Sequence, residues 1–433
     1  MKAYMNPDTG AVFYRTQNGN KVVQGDDRKL LKILSFDNTE SDPALQAKEE
    51  LTDYVDRVYA CTLNDAGQET KILATPSDPN VDSQFTDGSE GQAMVKFPRL
   101  WYKYDLDGDG NMQGFYLAGY AKAGYTLHPA FSWGDGRDAA YIGMYEASSS
   151  TTASVLQSIS GITPRTSRTL AQFRSQAEAR GSGWHQMSFW TQHLLDMLFY
   201  AVYETRDSQG ALPGYTEESG WDTSKMRETG RSNVLTDMNG SVDADLGGVD
   251  SDLENLSEGE KIANRFLFVE NIFGHIWKFN DGVTYVPEFD FDPVNEVLPG
   301  DGSYVEGWNA DWGKDLQAVY HTPDITKFSS VATDIRDNYE KLSVTPVSIT
   351  GDGEIQKAGR SFVPTAHGGT TGQNFCARFY GRLAATDRPY LRVVRAGGSL
   401  VSGALAGVAC RSVFNGLSDS HSAFGARLCF SRI

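Results

Sequence analysis

Residues 397–430 read GGSLVSGALAGVACRSVFNGLSDSHSAFGARLCF. From Ala396 to Ile433 there is no Lys, Glu, Gln, Met or Trp, although the body of the chain uses all five and carries the 8 Trp. Gly and Ser recur at the density of tight loops. The stretch closes on GARLCF, where Ala426, Leu428 and Phe430 alternate with Gly425, Arg427 and Cys429. That period of two predicts a terminal strand pinned in the core, with loops ahead of it.

The chain around this stretch is globular in composition: 433 residues, 40% hydrophobic and 22% charged, enough to bury a sizeable core. Its formal charge of -17 disfavours nucleic acid and anionic lipid as partners, because phosphate must be met by clustered Lys and Arg. The start, MKAYMNPDTGAVFYRT, places Asp, Gly and polar residues where a secretion signal would place its apolar run, so no signal peptide is expected. No apolar stretch approaches the roughly 20 residues of a membrane helix, so no membrane insertion is expected. Cys61, Cys376, Cys410 and Cys429 lie far apart with no C-x-x-C, which predicts buried free thiols rather than a zinc site.

Short strands are expected from Val58 onward, in VYACTLN, TKILATP and AMVKFPRLWYKY. The segment DLDGDGN alternates Asp105, Asp107 and Asp109 like the opening of a calcium loop. The twelfth position, where a bidentate Glu is required, is Tyr116, so a β-hairpin tip is the better reading. Two helices follow. In SRTLAQFRSQAEARGSG, Leu170, Phe173 and Ala177 share a face and Gly181 supplies the stop; in SFWTQHLLDMLFYAVYETRDS, Phe189, Trp190, Leu194, Leu195, Leu198, Phe199 and Val202 form a broad apolar stripe. His185 and His193 lack the i, i+4 partners of a helical zinc site and are expected to be structural. The acidic stretch from Pro213 to about Asn255 predicts a solvated surface loop or insertion, and LSVTPVSI a strand. Before Val58, LLKIL and the run DPALQAKEELTDYVDRV, with Leu45, Leu51 and Val55 on one helical face, suggest a small N-terminal module over residues 1–57, guessed to serve attachment or assembly. Residues 58–433 are expected to form the main domain.

The G-x-S-x-G, P-loop, G-x-G-x-x-G and H-E-x-x-H signatures are absent. Asp and Glu are abundant, so a glycosidase-like carboxylate pair stays open on residue type alone.

Several segments occur in one order: RVYACTLNDAG, GQAMVKFPRLWYKY, LHPAF, YIGMYEAS, SISGITPR with the two helices, ENIFGHIWKFNDGV and RVVRAGGSLVSGALAGVACRSVFNGLSDSHSAFGARLCF. The ordered set resembles C-type lectin-fold proteins related to formylglycine-generating enzymes, in the branch targeted by diversity-generating retroelements, many of them phage receptor-binding proteins. The resemblance spans roughly Val58 to the C-terminus and implies an α+β, C-type lectin-like fold of the formylglycine-generating-enzyme type. In it, two helices pack on short antiparallel sheets with long insertions.

The resemblance also implies an origin for the compositional gap. In such systems an error-prone reverse transcriptase mutates template adenines, so AAC and AAT codons become codons of any first two bases with a third pyrimidine. These cannot encode Lys, Glu, Gln, Met or Trp. Gly397, Gly398, Gly403, Gly407, Gly425 and Arg427 are then the fixed scaffold of a variable region over residues 396–433. The implied receptor-binding, diversified positions are Ser399, Val401, Ser402, Ala404, Leu405, Ala409, Arg411, Ser412, Phe414, Asn415, Asp419, His421 and Ala423. Relatives often carry Trp where this chain has Leu400, so either that site varies too or the register shifts locally.

The partners implied are a bacterial cell-surface receptor, protein or glycan, and other virion tail proteins. A homotrimer is favoured, on a virion whose proteins are made in the host cytoplasm. Two alternatives are kept: a bacterial, non-phage variable protein of the same family, and a formylglycine-generating or carbohydrate-active enzyme. The copper-binding cysteine pair of formylglycine-generating enzymes carries over onto Ser402 and Gly407, and neither supplies the thiolate that Cu(I) requires. No catalytic residue, cofactor or metal is therefore expected; a structural calcium ion is compatible with the fold class but not predicted.

Overall fold

The computed structural model describes side chains over residues 51–104, 115–131, 138–149, 154–203, 208–244, 260–281 and 393–431, apart from positions 404, 405, 409, 413, 414 and 417. In some other stretches it describes backbone strands and a helix start alone. The architecture is α+β, built mostly of short antiparallel sheets with few helices.

GARLCF does form a strand, and it lies inside a sheet. Leu428–Phe430 is flanked by Trp184–Gln186 and Ala139–Gly143 in a six-stranded antiparallel sheet that continues through Gln92–Pro98, Tyr59–Leu63 and Glu69–Ala74. Phe430 is opposite Tyr141 on one side and Trp184 on the other, with ring centroids 6.0 and 5.0 Å away. At the tip of the hairpin joining the last two of these strands, Gly67 takes φ +71°, and a Cβ there would stand 1.9 Å from the Phe430 ring. The terminal strand thus packs against the tip of the hairpin formed by Tyr59–Leu63 and Glu69–Ala74.

The helices carry the expected faces. Leu170–Glu178 begins with a capping box: the Thr169 hydroxyl accepts from the Gln172 amide and the Gln172 side chain accepts from the Thr169 amide. Leu170, Phe173 and Ala177 are buried. Phe189–Tyr203 is buried on nearly every side, so its stripe is wider than an amphipathic surface helix would need. DLDGDGN bridges the strands Trp101–Leu106 and Met112–Ala118, which pair as the expected hairpin; its tip, residues 107–111, lies outside the described residues. The strand expected at LSVTPVSI lies within Asp334–Gly351.

One expectation about the polar stretches needs correcting. The segment from Pro213 onward is not a solvated loop throughout. Thr229, Ser232 and Val242 are buried, and the Glu270 carboxylate accepts from the amides of Gly230 and Ser232 at 2.9 and 2.7 Å. Hydrogen bonds to one buried carboxylate draw the chain inward despite its polarity. Across the expected boundary at residue 57, strand Leu31–Leu34 pairs with Met112–Ala118, and Tyr54, from helix Glu49–Val55, is buried and donates to the Pro98 carbonyl at 2.8 Å.

A second, mixed sheet carries the C-terminal region. Arg392–Gly397 lies between Trp277–Val286 and Gly407–Val413, antiparallel to both, and the short strand Phe424–Gly425 runs parallel to Trp277–Val286.

Candidate functional site

The loops of the compositionally restricted stretch leave this second sheet at Gly397, return at Gly407, leave again after Val413 and come back at Phe424. The first loop is anchored through backbone groups at nearly every turn. The Gly274 amide donates to Gly397 O at 3.0 Å, the Leu400 amide to His275 O at 2.9 Å, the Glu218 amide to Leu400 O at 2.8 Å and the Gly403 amide to Thr216 O at 2.8 Å. Gln209 donates to Ala406 O at 3.2 Å. Gly398 has φ +81°, and a Cβ there would meet Ala406 Cβ at 2.8 Å, so this turn requires glycine. Backbone anchoring of this kind is indifferent to side-chain identity.

Beneath the loop is a buried charged frame. Glu146, His275 and Lys278 are wholly enclosed. The Arg227 amide donates to His275 Nε2 at 2.9 Å, which leaves the ring proton on Nδ1, facing the Glu146 carboxylate. Lys278 Nζ stands 3.0 Å from the other carboxylate oxygen and donates to Gly274 O at 2.8 Å. Burial raises the Glu146 carboxyl, but His275, Lys278 and Arg427 together outweigh it and hold the pKa down to about 2. Arg427, expected as fixed scaffold, is buried and donates to the carbonyls of Gly143, Met144, Glu270 and Asn271 at 2.5 to 3.2 Å.

The positions implied to bind a receptor divide on this frame. Val401 is 39% exposed, one of three large apolar side chains open to solvent among the described residues. His421 is exposed, and Ser402, Asn415 and Asp419 are half-buried. Ala404, Leu405 and Phe414 lie outside the described residues, as does the side chain of Ala409. Ser399, Arg411, Ser412 and Ala423 are buried. Arg411 is held by Asp196, and its Nη1 donates to Val408 O at 2.6 Å. Ser412 Oγ accepts from Arg395 at 2.8 Å. The Ser399 amide is bound to Ser402 Oγ at 2.9 Å. Leu400, at the point where relatives carry Trp, is wholly buried.

The second loop is pinned by Asp419, whose Oδ2 accepts from Asn415 Nδ2 at 2.9 Å and the Gly416 amide at 3.0 Å. Ser418, Ser420 and His421 are exposed at its outer edge. Trp221 joins this edge from a remote part of the chain: its Nε1 donates to Ser422 Oγ at 2.8 Å and its ring lies 6.4 Å from that of His421. Exposed Glu217 flanks Gly403 in the first loop. Sequence reasoning missed Ser418 and Ser420, although they interleave Asp419 and His421. It missed Glu217 and Trp221 because contact over about 200 positions leaves no local pattern.

No protein-family model matches the chain, and no curated protein matches it. Among solved structures it is similar to "Major Tropism Determinant U1 Variant", at 10% identity and a TM-score of 0.27 over 100% of this chain and 95% of that one. It is also similar to "Major Tropism Determinant P3c Variant" and "Major Tropism Determinant M1 Variant", each at 10% identity, with TM-scores of 0.24 and 0.25, over 99% of this chain and 94% of each of theirs. Likeness at these scores is too distant to assign a role to any residue.

The outer edges of the two loops carry the hydroxyls of Ser402, Ser418 and Ser420, the His421 imidazole, the Trp221 indole, the carboxylates of Glu217 and Asp419, and the exposed Val401. Cys410 and Cys429 are buried, and burial pushes the Cys429 thiol up to about 12, far from a reactive thiolate. Cys61 is likewise buried with its thiol pushed up, and Cys376 lies outside the described residues. His185 hydrogen-bonds Ser431 Oγ at 2.8 Å, and His193 lies against His128, so both are enclosed in structural contacts. Among the described residues, no group of three or more His, Cys, Asp or Glu is arranged to hold a metal ion. No described helix is long and apolar enough to cross a membrane.

Proposed function

We propose that this chain is a receptor-binding adhesin of the retroelement-diversified type, with a C-type lectin-like fold, carried on a phage tail. In this reading it engages a bacterial surface receptor through the outer edges of the loops at 399–405 and 415–423. The observation that carries the proposal is the absence of Lys, Glu, Gln, Met and Trp from Ala396 to Ile433, the five types that adenine mutagenesis of Asn codons cannot produce. The backbone anchoring supports it, since loops held through amides and carbonyls accept changes in outward side chains with little change in stability.

The binding side chains in this reading are Val401, Ser402, Asn415, Asp419 and His421, joined by Ser418, Ser420, Glu217 and Trp221. Ala404, Leu405, Ala409 and Phe414 are retained from the sequence. Ser399, Arg411, Ser412 and Ala423 act from beneath. The chain works by binding, without catalysis or cofactor. A face of small side chains gives modest affinity per copy, which a homotrimer and several copies per virion raise through effective concentration. Residues 1–57 attach it to other tail proteins.

The test is binding of the fluorescently labelled full chain to a panel of bacterial strains, before and after protease or periodate treatment of the cells. A triple variant, Val401→Ser, Trp221→Ala, His421→Ser, is compared with wild type. Selective binding to some strains, weakened at least tenfold in the variant at an unchanged unfolding temperature, supports the proposal. Equal binding by the variant, or binding to no strain, counts against it.

A further inference from the structure

From Ala147 to Ala177 there is no Asp or Glu, in a chain that has 56 of them, and the stretch contains Arg165, Arg168 and Arg174. Arg174 is neutralised by Asp281, with hydrogen bonds of 2.7 and 2.5 Å. Arg165 and Arg168 have no carboxylate partner among the described residues. Together with Ser149, Thr163, Pro164 and Thr166 they line a cavity of about 280 Å³. Five of those six residues carry a hydroxyl or a guanidinium.

Two buried polar atoms there lack partners among the described residues: Ser149 Oγ and Arg165 Nε. Buried polar atoms are nearly always hydrogen-bonded, so two orphans in one cavity point to a ligand that supplies acceptors. The two guanidinium groups line the same cavity. Burial, and then the charge of Arg168, hold Arg165 below the usual arginine range. The backbone that carries them is held in place. The Arg165 amide donates to Ala147 O at 2.7 Å, and Arg168 Nη1 donates to Ser167 O at 2.8 Å. Ser167 has φ +58°, a conformation unfavourable for a residue with a Cβ, and its amide donates to His421 O at 3.1 Å.

We propose that this cavity is a binding site for a tetrahedral oxyanion, a phosphate or sulfate group, free or as the ester of a small polar molecule. A guanidinium presents its N–H groups in a planar fork that matches such an anion two oxygens at a time. The hydroxyls of Ser149, Thr163 and Thr166 supply further donors. At about 280 Å³ the cavity lies at the small end of ligand pockets, which begin at roughly 300 Å³, a size suited to a small anion or its compact ester. The site stands independently of the receptor proposal, because it uses none of the outward side chains of the two loops.

The test is isothermal titration of the full chain at low ionic strength with inorganic phosphate, inorganic sulfate, a hexose phosphate and the matching neutral hexose. The expected result is saturable one-site binding of the anions, tightest for the hexose phosphate, with none for the neutral hexose. Arg165→Gln and Arg168→Gln should each weaken binding at least tenfold, whereas Arg99→Gln, at a guanidinium paired 3.0 Å from Asp138, should leave it unchanged. Ser149→Ala should weaken anion binding without lowering the unfolding temperature, and it decides the matter should an arginine variant fail to fold. No binding by any anion, equal binding by wild type and all variants, or neutral hexose binding as tightly as its phosphate would overturn the proposal.

Discussion

Arg411, near the end of the chain, and Asp196, inside the helix Phe189–Tyr203, form an ion pair within the protein. Gln192 donates to the other oxygen of Asp196 at 2.8 Å, so the carboxylate has two partners from two elements. Burial pushes the Asp196 carboxyl up to about 6 against the opposing pull of Arg411. The pair ties the second sheet to the helix on which it rests.

Replacing Arg411 with Ala should therefore destabilise the protein by about 3–5 kcal/mol, the usual consequence of leaving one member of a buried pair alone. Arg411→Lys should recover part of the loss. Urea unfolding at pH 7 measures both, and a change below about 1 kcal/mol for Arg411→Ala would show that the pair is not structural.

Glu146 gives a pH dependence whose sign is fixed. Its carboxyl is held at about 2 in the folded chain against an ordinary 4.5, so its ionised form stabilises the fold above pH 4.5 and that contribution is lost as pH falls toward 2. Glu146→Gln should be less stable at pH 7, and its stability should fall less steeply between pH 4.5 and 2, a difference on the order of 3 kcal/mol over the window. Parallel pH profiles for variant and wild type would refute this.

A second titration lies higher. His128 and His193 stack with ring centroids 5.1 Å apart and a nitrogen contact of 2.9 Å. Burial holds His128 down to about 3; burial, then His128 and Arg411, hold His193 well below its ordinary value. The unfolded chain protonates these rings near pH 6.5 and the folded chain does not. Stability is therefore full above about pH 6.5 and declines below it, by roughly 1.4 kcal/mol per pH unit for each ring. His128→Gln should flatten the profile between pH 6.5 and 4.5, as read by urea unfolding at a series of pH values.

Much of the fold was legible because its signals are local. The period of two in Ala426, Leu428 and Phe430 gave the terminal strand, the apolar faces at Leu170 and Phe189 gave the helices, and the Asp-Gly turn after Leu106 gave the hairpin. The site was legible only in part. Arg411, Ser412 and Ser399 are polar types that suit a surface, and their burial is decided by Asp196, Arg395 and the backbone of a tight turn. Residues 213–244 misled for the same reason: Glu270, which accepts from the Gly230 amide, and Arg265, which donates to the carbonyls of Ser232 and Leu235, both lie outside the segment they hold.

Gly67 tests how firmly the chain's end is docked. Gly67→Ala must accommodate both φ +71° and the Phe430 ring, and should destabilise by about 1–3 kcal/mol. Phe430→Leu should relieve part of the added strain, so the double variant should be more stable than the sum of the singles, as read by thermal unfolding. Strict additivity would show that the two residues do not meet.

In the proposed reading, outward positions of the final stretch are diversified while the buried frame is kept. Sequencing this coding region across a natural population, together with its flanking DNA, measures that most directly. Variation is expected to concentrate at Val401, Ser402, Asn415, Asp419 and His421, with Arg411, Ser412 and Arg427 constant. Also expected is a near-copy of the segment carrying AAC or AAT codons at the variable positions, beside a reverse transcriptase gene. Variation no greater at those positions than at Gly397 and Gly398, with no such copy nearby, would contradict it.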